Sequence, residues 1–474
     1  MRRRVLHVFV MSFFLLLVLS CSSQQERIDY VLSWTGDGLK VDVALQTDKD
    51  SVTLNFGSEA GGQTDQMSWI HDLTVTFGQL FADTANHHFT AIPSDRQVRF
   101  SYIVRSTLPS DYGSPGNCLK DMFRPDLDSS MFYSRTENLF VLPDDADSIP
   151  VSVEWNAVPP YPLFCLYNPG KGTEHFDGLV RDLNWSVIVG DSFLTVDTVM
   201  VNSHPQYLVT ALRQQVDENK VALRRFFRRV YASVSRFWSD DGSVPYSMIV
   251  FPFRRNTFEV SGNGYANGLL ARYDATADTV LTKERRDVFV HEIGHKWMNN
   301  GTIWFAEGFN EMQTAYQLVA SGLTSPDYFV TYFNHALSEL WHNPHRNAPG
   351  QEAEDRFWED GDYTWLLYYR GFTYAFHLAG LVEQQTQQPN SWRAMMQHIQ
   401  SFVTDFSEEK FLEAMSVLIA PKRLNEDYRT FMTEGKDFTF HSEELPSGTA
   451  IELSADGVPQ VCIVDTVAFA RHFQ

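Results

Sequence analysis

Two histidines four residues apart, His291 and His295, with a glutamate beside the first, stand in the stretch Val290-His-Glu-Ile-Gly-His-Lys-Trp297. The segment Trp304-Phe-Ala-Glu-Gly-Phe-Asn-Glu311 follows closely. On a helix, side chains four apart project from one face. That spacing lets two imidazole nitrogens reach a single Zn²⁺ at about 2.0–2.1 Å. Glu292 then lies along the same wall as a base for a metal-bound water. A third protein ligand must leave one coordination position open, and Glu307 is the obvious choice. A His/His/Glu donor set describes one catalytic zinc per chain rather than a structural one. The chemistry this points to is zinc-dependent hydrolysis of peptide bonds.

Such side chains need two adjoining helices. Thr282 is a plausible N-cap, with Glu284, Arg285 and Arg286 opening a first helix, and Val288, Phe289 and Val290 embed the motif in apolar surroundings. Asn299-Asn300-Gly301 supplies the stop signal. A second helix is expected from about Ile303–Trp304, carrying Glu307 and Glu311 one turn apart. H-E-x-x-H alone arises by chance, and both histidines could then be ordinary polar-face residues. Two histidines and two carboxylates in mostly apolar helices, however, are costly to bury without a metal or mutual pairing.

These motifs resemble those of the gluzincin metallopeptidases, in the alanyl and glycyl aminopeptidase families. His291-Glu-Ile-Gly-His-Lys-Trp-Met-Asn-Asn300 is similar to H-E-x-x-H-x-W-x-x-N, and Trp304-Phe-Ala-Glu-Gly-Phe309 to W-L-x-E-G-F. The resemblance implies that His291, His295 and Glu307 are ligands and Glu292 the general base. Glu311 could accept a hydrogen bond from a ligand histidine, fixing its tautomer and orientation. Were the helices to cross too tightly for Glu307, Glu311 would be the next ligand, because the link from His295 to Glu307 is shorter than is typical of the family. Tyr368-Tyr-Arg-Gly-Phe372 resembles Y-x-K-G, which makes Tyr368 the oxyanion stabiliser and Tyr369 the fallback. Gly262-Asn-Gly-Tyr-Ala-Asn267 lies where the aminopeptidases carry G-x-M-E-N, whose glutamate binds the substrate's free amine. Gly264, Tyr265, Ala266 and Asn267 are therefore expected to line the substrate cleft by strand addition. Ala266 replaces the glutamate, which leaves exopeptidase and endopeptidase action both open.

The N-terminus reads as an address. Arg2-Arg-Arg4 is a basic leader and Val5–Leu19 an apolar run too short for a secure membrane span. Val18-Leu-Ser-Cys21 resembles a bacterial lipobox, with Cys21 as the lipidated first residue of an exported, membrane-anchored lipoprotein; a conventional signal peptide is the alternative. Export permits a disulfide between Cys118 and Cys165, leaving Cys462 as a buried free thiol.

At 474 residues and 43% hydrophobic composition, the chain can build two or three cores. A net charge of −21 argues against nucleic acid as a partner. After the leader (1–21), residues 26–204 alternate apolar and polar in short runs such as Leu39–Gln46, Val52–Phe56 and Val98–Val104, an antiparallel β-domain. Residues 205–435 follow a helical period, with a helix over about Val209–Trp238 whose Arg224–Arg229 run is its polar side. Residues 436–474 form a short β-rich tail. The expected fold is α+β: a β-domain, a mainly helical thermolysin-like (gluzincin) catalytic domain, and the tail. A peptide or protein is the expected substrate. The rival reading is an inactive lipoprotein on a peptidase scaffold that binds peptides or glycans.

Overall fold

The computed structural model describes residues 26–57, 63–106, 123–144, 147–253, 260–298, 301–402, 406–436 and 440–474. The leader, Cys21, Cys118 and Asn299-Asn300 of the expected helix stop lie outside the described residues. Among the described residues, no helix is long and apolar enough to cross a membrane. Two compact units are present, and the main break in the chain falls between Val189 and Gly190, ahead of the expected 204–205.

The largest sheet of the first unit has six strands: β1 (Arg27–Trp34), β2 (Gly38–Gln46), β3 (Ile70–Phe77), β4 (Gln97–Arg105), β5 (Pro150–Ala157) and β6 (His175–Leu179), in the order β6-β5-β1-β2-β4-β3. A period of two sends alternate residues to one face. Leu39, Val41, Val43 and Leu45 of β2 and Val98, Phe100, Tyr102 and Val104 of β4 are accordingly buried. β1 and β5 run parallel, the one departure from an all-antiparallel sheet. The hydroxyls of Tyr30 and Tyr102 donate to the carbonyls of Val141 and Leu139 at 2.7 and 2.8 Å, fastening that segment to the sheet. Cys165 is buried here, and burial pushes its thiol up to about 12, the signature of an inert cysteine.

The second unit opens with a sheet of β7 (Leu194–Val201), β8 (His204–Ala211), β9 (Ser247–Pro252), β10 (Val260–Tyr265) and β11 (Gly268–Tyr273), in the order β7-β8-β9-β11-β10. β8, β9 and β11 are parallel, while β7 and β10 are antiparallel edges. Every residue of β9 and β11 is buried, as in a sheet covered on both faces. Helix α1 runs over Val216–Phe237, later than expected, because Val209–Ala211 belong to β8. It buries Leu223, Phe226, Phe227, Val230 and Val234. Arg224 turns outward to Asp197 at 3.0 Å and Arg229 to the Gly322 carbonyl at 2.7 Å, so the basic run is the helix's polar side.

Four further helices matter to the site: α2 (Lys283–Met298), α3 (Asn310–Ala320), α4 (Pro326–His342) and α5 (Gly361–Thr386). Val290, Ile293, Leu318, Phe333 and Phe372 from these helices share one apolar core with the sheet. The tail forms an antiparallel hairpin, β12 (Thr449–Leu453) and β13 (Pro459–Ile463). Asn334 of α4 brackets Val461, accepting from its amide and donating to its carbonyl, both at 2.8 Å. The tail is thus part of this unit's core. Cys462 is half-buried rather than buried, with its Sγ 3.6 Å from the Ala450 carbonyl.

Candidate metal centre

Thr282 caps α2 as expected: its Oγ1 accepts from the Arg285 amide at 3.3 Å and its carbonyl from Arg286 at 3.1 Å. One side of α2 sends Phe289, Val290 and Ile293 into the core. The other presents His291 and His295, with side chains each 8% exposed. Glu307 stands on a π-helical turn, Trp304–Phe309, that runs directly into α3. Turns of this wider kind recur at functional sites because they re-aim a side chain without ending the helix.

The three side chains converge. Nε2 of His291 lies 3.1 Å from Nε2 of His295 and 3.1 Å from Oε2 of Glu307, and Nε2 of His295 lies 3.5 Å from that oxygen. Tetrahedral bonds of about 2.0–2.1 Å to a zinc ion separate neighbouring ligand atoms by about 3.3–3.4 Å. The observed triangle fits that requirement, and its donors are the nitrogen and oxygen types zinc accepts.

Electrostatics agree with a cation site. Burial pushes the Glu307 carboxyl up, but His295 and His291 outweigh it and hold it well below the usual carboxylate range. Burial opposes charging of His291, yet Glu311 and Glu307 raise its imidazole well above the ordinary value. Glu311 lies one turn beyond Glu307, with Oε1 2.7 Å from Nδ1 of His291. Its carboxylate therefore sits behind the His291 ring, not beside Glu307. Glu292 is buried, its carboxyl raised by that burial, with Oε2 3.9 Å from Nε2 of His295.

Tyr368 of α5 reaches this cluster. Its ring stacks on His291 with centroids 5.8 Å apart, and burial together with the nearby Glu307 carboxylate raises its phenol well above the ordinary value. Tyr369 points elsewhere, stacking on Trp365 at 5.7 Å. β10 packs directly against α2, and glycine permits the approach: a Cβ on Gly264 would lie 2.3 Å from that of His295, and one on Gly262 would lie 2.4 Å from Cγ of Glu292. Tyr265 is buried, Ala266 exposed and Asn267 half-buried at the turn into β11.

Two residues of the site were not singled out from sequence. Asn310 donates from Nδ2 to the His291 carbonyl at 2.8 Å, tying α3 to α2. Gly294 makes room for it, since a Cβ there would lie 1.9 Å from Oδ1 of Asn310. A glycine inside a helix was the available signal. His345, Asp360 and Asp362 form a second carboxylate–imidazole group, but Asp360 is engaged as the α5 cap, accepting from the Asp362 amide at 3.0 Å.

One turn before His291, burial pushes the Asp287 carboxyl up to about 6 from an ordinary 3.8, against the lowering influence of its bond from Tyr328 and of Lys283. The native state then holds its proton at pH values where the unfolded chain has lost it. Stability therefore falls as pH rises through that window, and the penalty is full above about 6. Two units correspond to about 3 kcal/mol, reduced to about 1–2 kcal/mol by the solvent this group still sees. Asp287→Asn, which keeps an acceptor for Tyr328, should melt above the parent at pH 8 and level with it near pH 4. An equal offset at both pH values in thermal melts would refute the assignment.

No family model and no curated protein matches the sequence. Solved structures do. An aminopeptidase N family protein from Idiomarina loihiensis matches with a TM-score of 0.71 at 14% identity, over 90% of this chain and 79% of its own. The M1 zinc metallopeptidase of Deinococcus radiodurans matches with a TM-score of 0.58 at 15% identity, over 89% and 96%. Yeast LTA4 hydrolase in complex with bestatin matches with a TM-score of 0.51 at 15% identity, over 88% and 68%. Identity this low carries the fold alone, a β-domain followed by a mainly helical domain opening on a mixed sheet, which this chain shares with those zinc metallopeptidases.

Proposed function

We propose that this chain is a zinc-dependent peptidase, with His291, His295 and Glu307 holding the ion. The observation that carries the reading is the convergence of their three donor atoms within 3.5 Å, beside a buried Glu292. The ion, when bound, supplies a Lewis acid and a water acidified towards a pKa of about 7. Glu292 takes the proton of the attacking water and later delivers it to the leaving amine. Tyr368 donates its hydroxyl to the oxyanion that develops on the scissile carbonyl, a role suited to a phenol whose burial keeps it neutral. Glu311 holds the His291 ring and its tautomer.

The substrate is a peptide or protein laid along β10, the edge strand of its sheet, with Gly264, Tyr265, Ala266 and Asn267 alongside. The leader and the Val18–Cys21 lipobox support an exported lipoprotein tethered to a bacterial membrane through Cys21.

A diverse peptide pool, half of it N-terminally acetylated, tests this by mass spectrometry with the zinc-loaded protein from Ser22 onward. Cleavage is expected, and it should be lost in Glu292→Gln. Trimming of free N-termini alone makes the protein an aminopeptidase that reads the amine without a glutamate at 266. Internal cuts in acetylated peptides make it an endopeptidase. No Glu292-dependent product would favour a binding scaffold.

A further inference from the structure

Helix α4 presents Tyr328 and Tyr332 one turn apart to acidic groups beside α2. Tyr328 donates its hydroxyl to Oδ2 of Asp287, and Tyr332 donates its hydroxyl to Oε2 of Glu311. Asp287 and His291 are one turn apart on α2, so Tyr328 meets α2 directly and Tyr332 reaches it through Glu311 of α3. Only the second contact leads to the metal centre. Glu311 has two carboxylate oxygens: Oε1 faces Nδ1 of His291 at 2.7 Å, and Oε2 faces Tyr332. Its side chain is only 14% exposed, so these contacts and not water decide where it points.

We infer that Tyr332 is a positioning residue for the metal centre: through its hydroxyl it locks the Glu311 carboxylate, which in turn fixes the His291 imidazole as an Nδ1–H tautomer with its Nε2 lone pair towards the ion. The inference rests on the zinc reading proposed above. A carboxylate accepts only, so Oε2 needs a donor, and Tyr332 is that donor. Burial and the facing Glu311 raise the phenol well above its ordinary value, so it keeps its proton. The Tyr332 ring is itself held, against Phe372 of α5 at 5.9 Å and Tyr328 at 6.1 Å. Without the hydroxyl, the Glu311 carboxylate is free to rotate about its last torsion, and the imidazole behind the ion is no longer held in one orientation. Groups of this kind behind a ligand histidine alter metal affinity by about 10–100-fold when removed.

The test is zinc affinity, measured by competition with a chromogenic chelator, together with the melting temperature of the metal-free protein. Tyr332→Phe should bind zinc at least about tenfold more weakly than the parent, with the metal-free melt little changed. Tyr328→Phe removes an equivalent hydroxyl one turn away and should bind zinc like the parent. Glu311→Gln should weaken zinc, and adding Tyr332→Phe to it should weaken zinc no further, because the hydroxyl acts through Glu311. Should Tyr332→Phe destabilise the fold, imidazole ¹⁵N shifts of the zinc-loaded parent show which His291 nitrogen holds the metal, and coordination through Nδ1 overturns the inference. Parent-like zinc affinity in Tyr332→Phe, or full additivity in the double variant, overturns the inference while leaving the zinc reading intact. A parent protein that takes up no stoichiometric zinc overturns both.

Discussion

Glu292→Gln should retain one zinc per chain and lose at least about a hundredfold in turnover, the scale on which removal of a general base acts. The replacement is nearly isosteric, which matters in this position. Glu292 is buried between α2 and β10, where even a methyl on Gly262 would meet its Cγ at 2.4 Å. A glutamine fills that space without repacking, so the change removes proton-accepting capacity and little else. Burial raises the Glu292 carboxyl, so it takes a proton more readily than an exposed glutamate. His295→Ala makes the contrast. It deletes one of the three converging donors and should lose the ion itself, so that metal analysis separates the two variants even though both are inactive. Near-parental turnover in Glu292→Gln would remove it from the mechanism. Full zinc occupancy in His295→Ala would mean that the ligands lie elsewhere.

The site was legible in sequence to the extent that its geometry is local. His291 and His295 are set by one helix period, and Thr282 caps that helix as its type suggests. Alternation in β2 and β4 marked the first unit's core residue by residue. What sequence could not supply is what depends on one element meeting another. β8 ends in Val209-Thr-Ala211, residues that do not by themselves separate a strand from a helix start, and their pairing with β7 and β9 decides the matter. The choice between Tyr368 and Tyr369 turned on the rotation of α5, and the structure brings Tyr368 to Glu307. Whether Glu307 or Glu311 would face the ion depended on the π-helical turn, which has no period to read. Tyr332 lies 21 residues from Glu311 on a separate helix, with no spacing rule to tie it to the motif.

Two motif glycines, unrelated when read along the chain, turn out to be one contact, and the consequence is measurable. Gly308 follows Glu307, and Gly371 closes the segment that begins at Tyr368. In the structure a Cβ on Gly371 would lie 2.2 Å from the Trp304 carbonyl oxygen and 2.9 Å from Cα of Gly308. A Cβ on Gly308 would meet Cα of Gly371 at 2.5 Å. The obstacles are backbone atoms on both sides, so no rotamer change relieves the overlap. Gly371→Ala must therefore push α5 away from the π-helical turn. Tyr368 stands one turn before Gly371 on α5 and Glu307 directly before Gly308, so this crossing sets how the two side chains meet. Separation there displaces the proposed ligand Glu307 and the proposed oxyanion donor together. The expected result is a loss of stability at or above the about 1–3 kcal/mol typical of overpacking, with weakened zinc binding and turnover. Gly361→Ala, in the first turn of the same helix with nothing within 4 Å of the added carbon, should be neutral or slightly stabilising. Thermal melts and zinc titrations of the two alanine variants decide it. Parent-like zinc affinity in Gly371→Ala would mean that the close crossing of α5 over the turn is not what holds Glu307 in place.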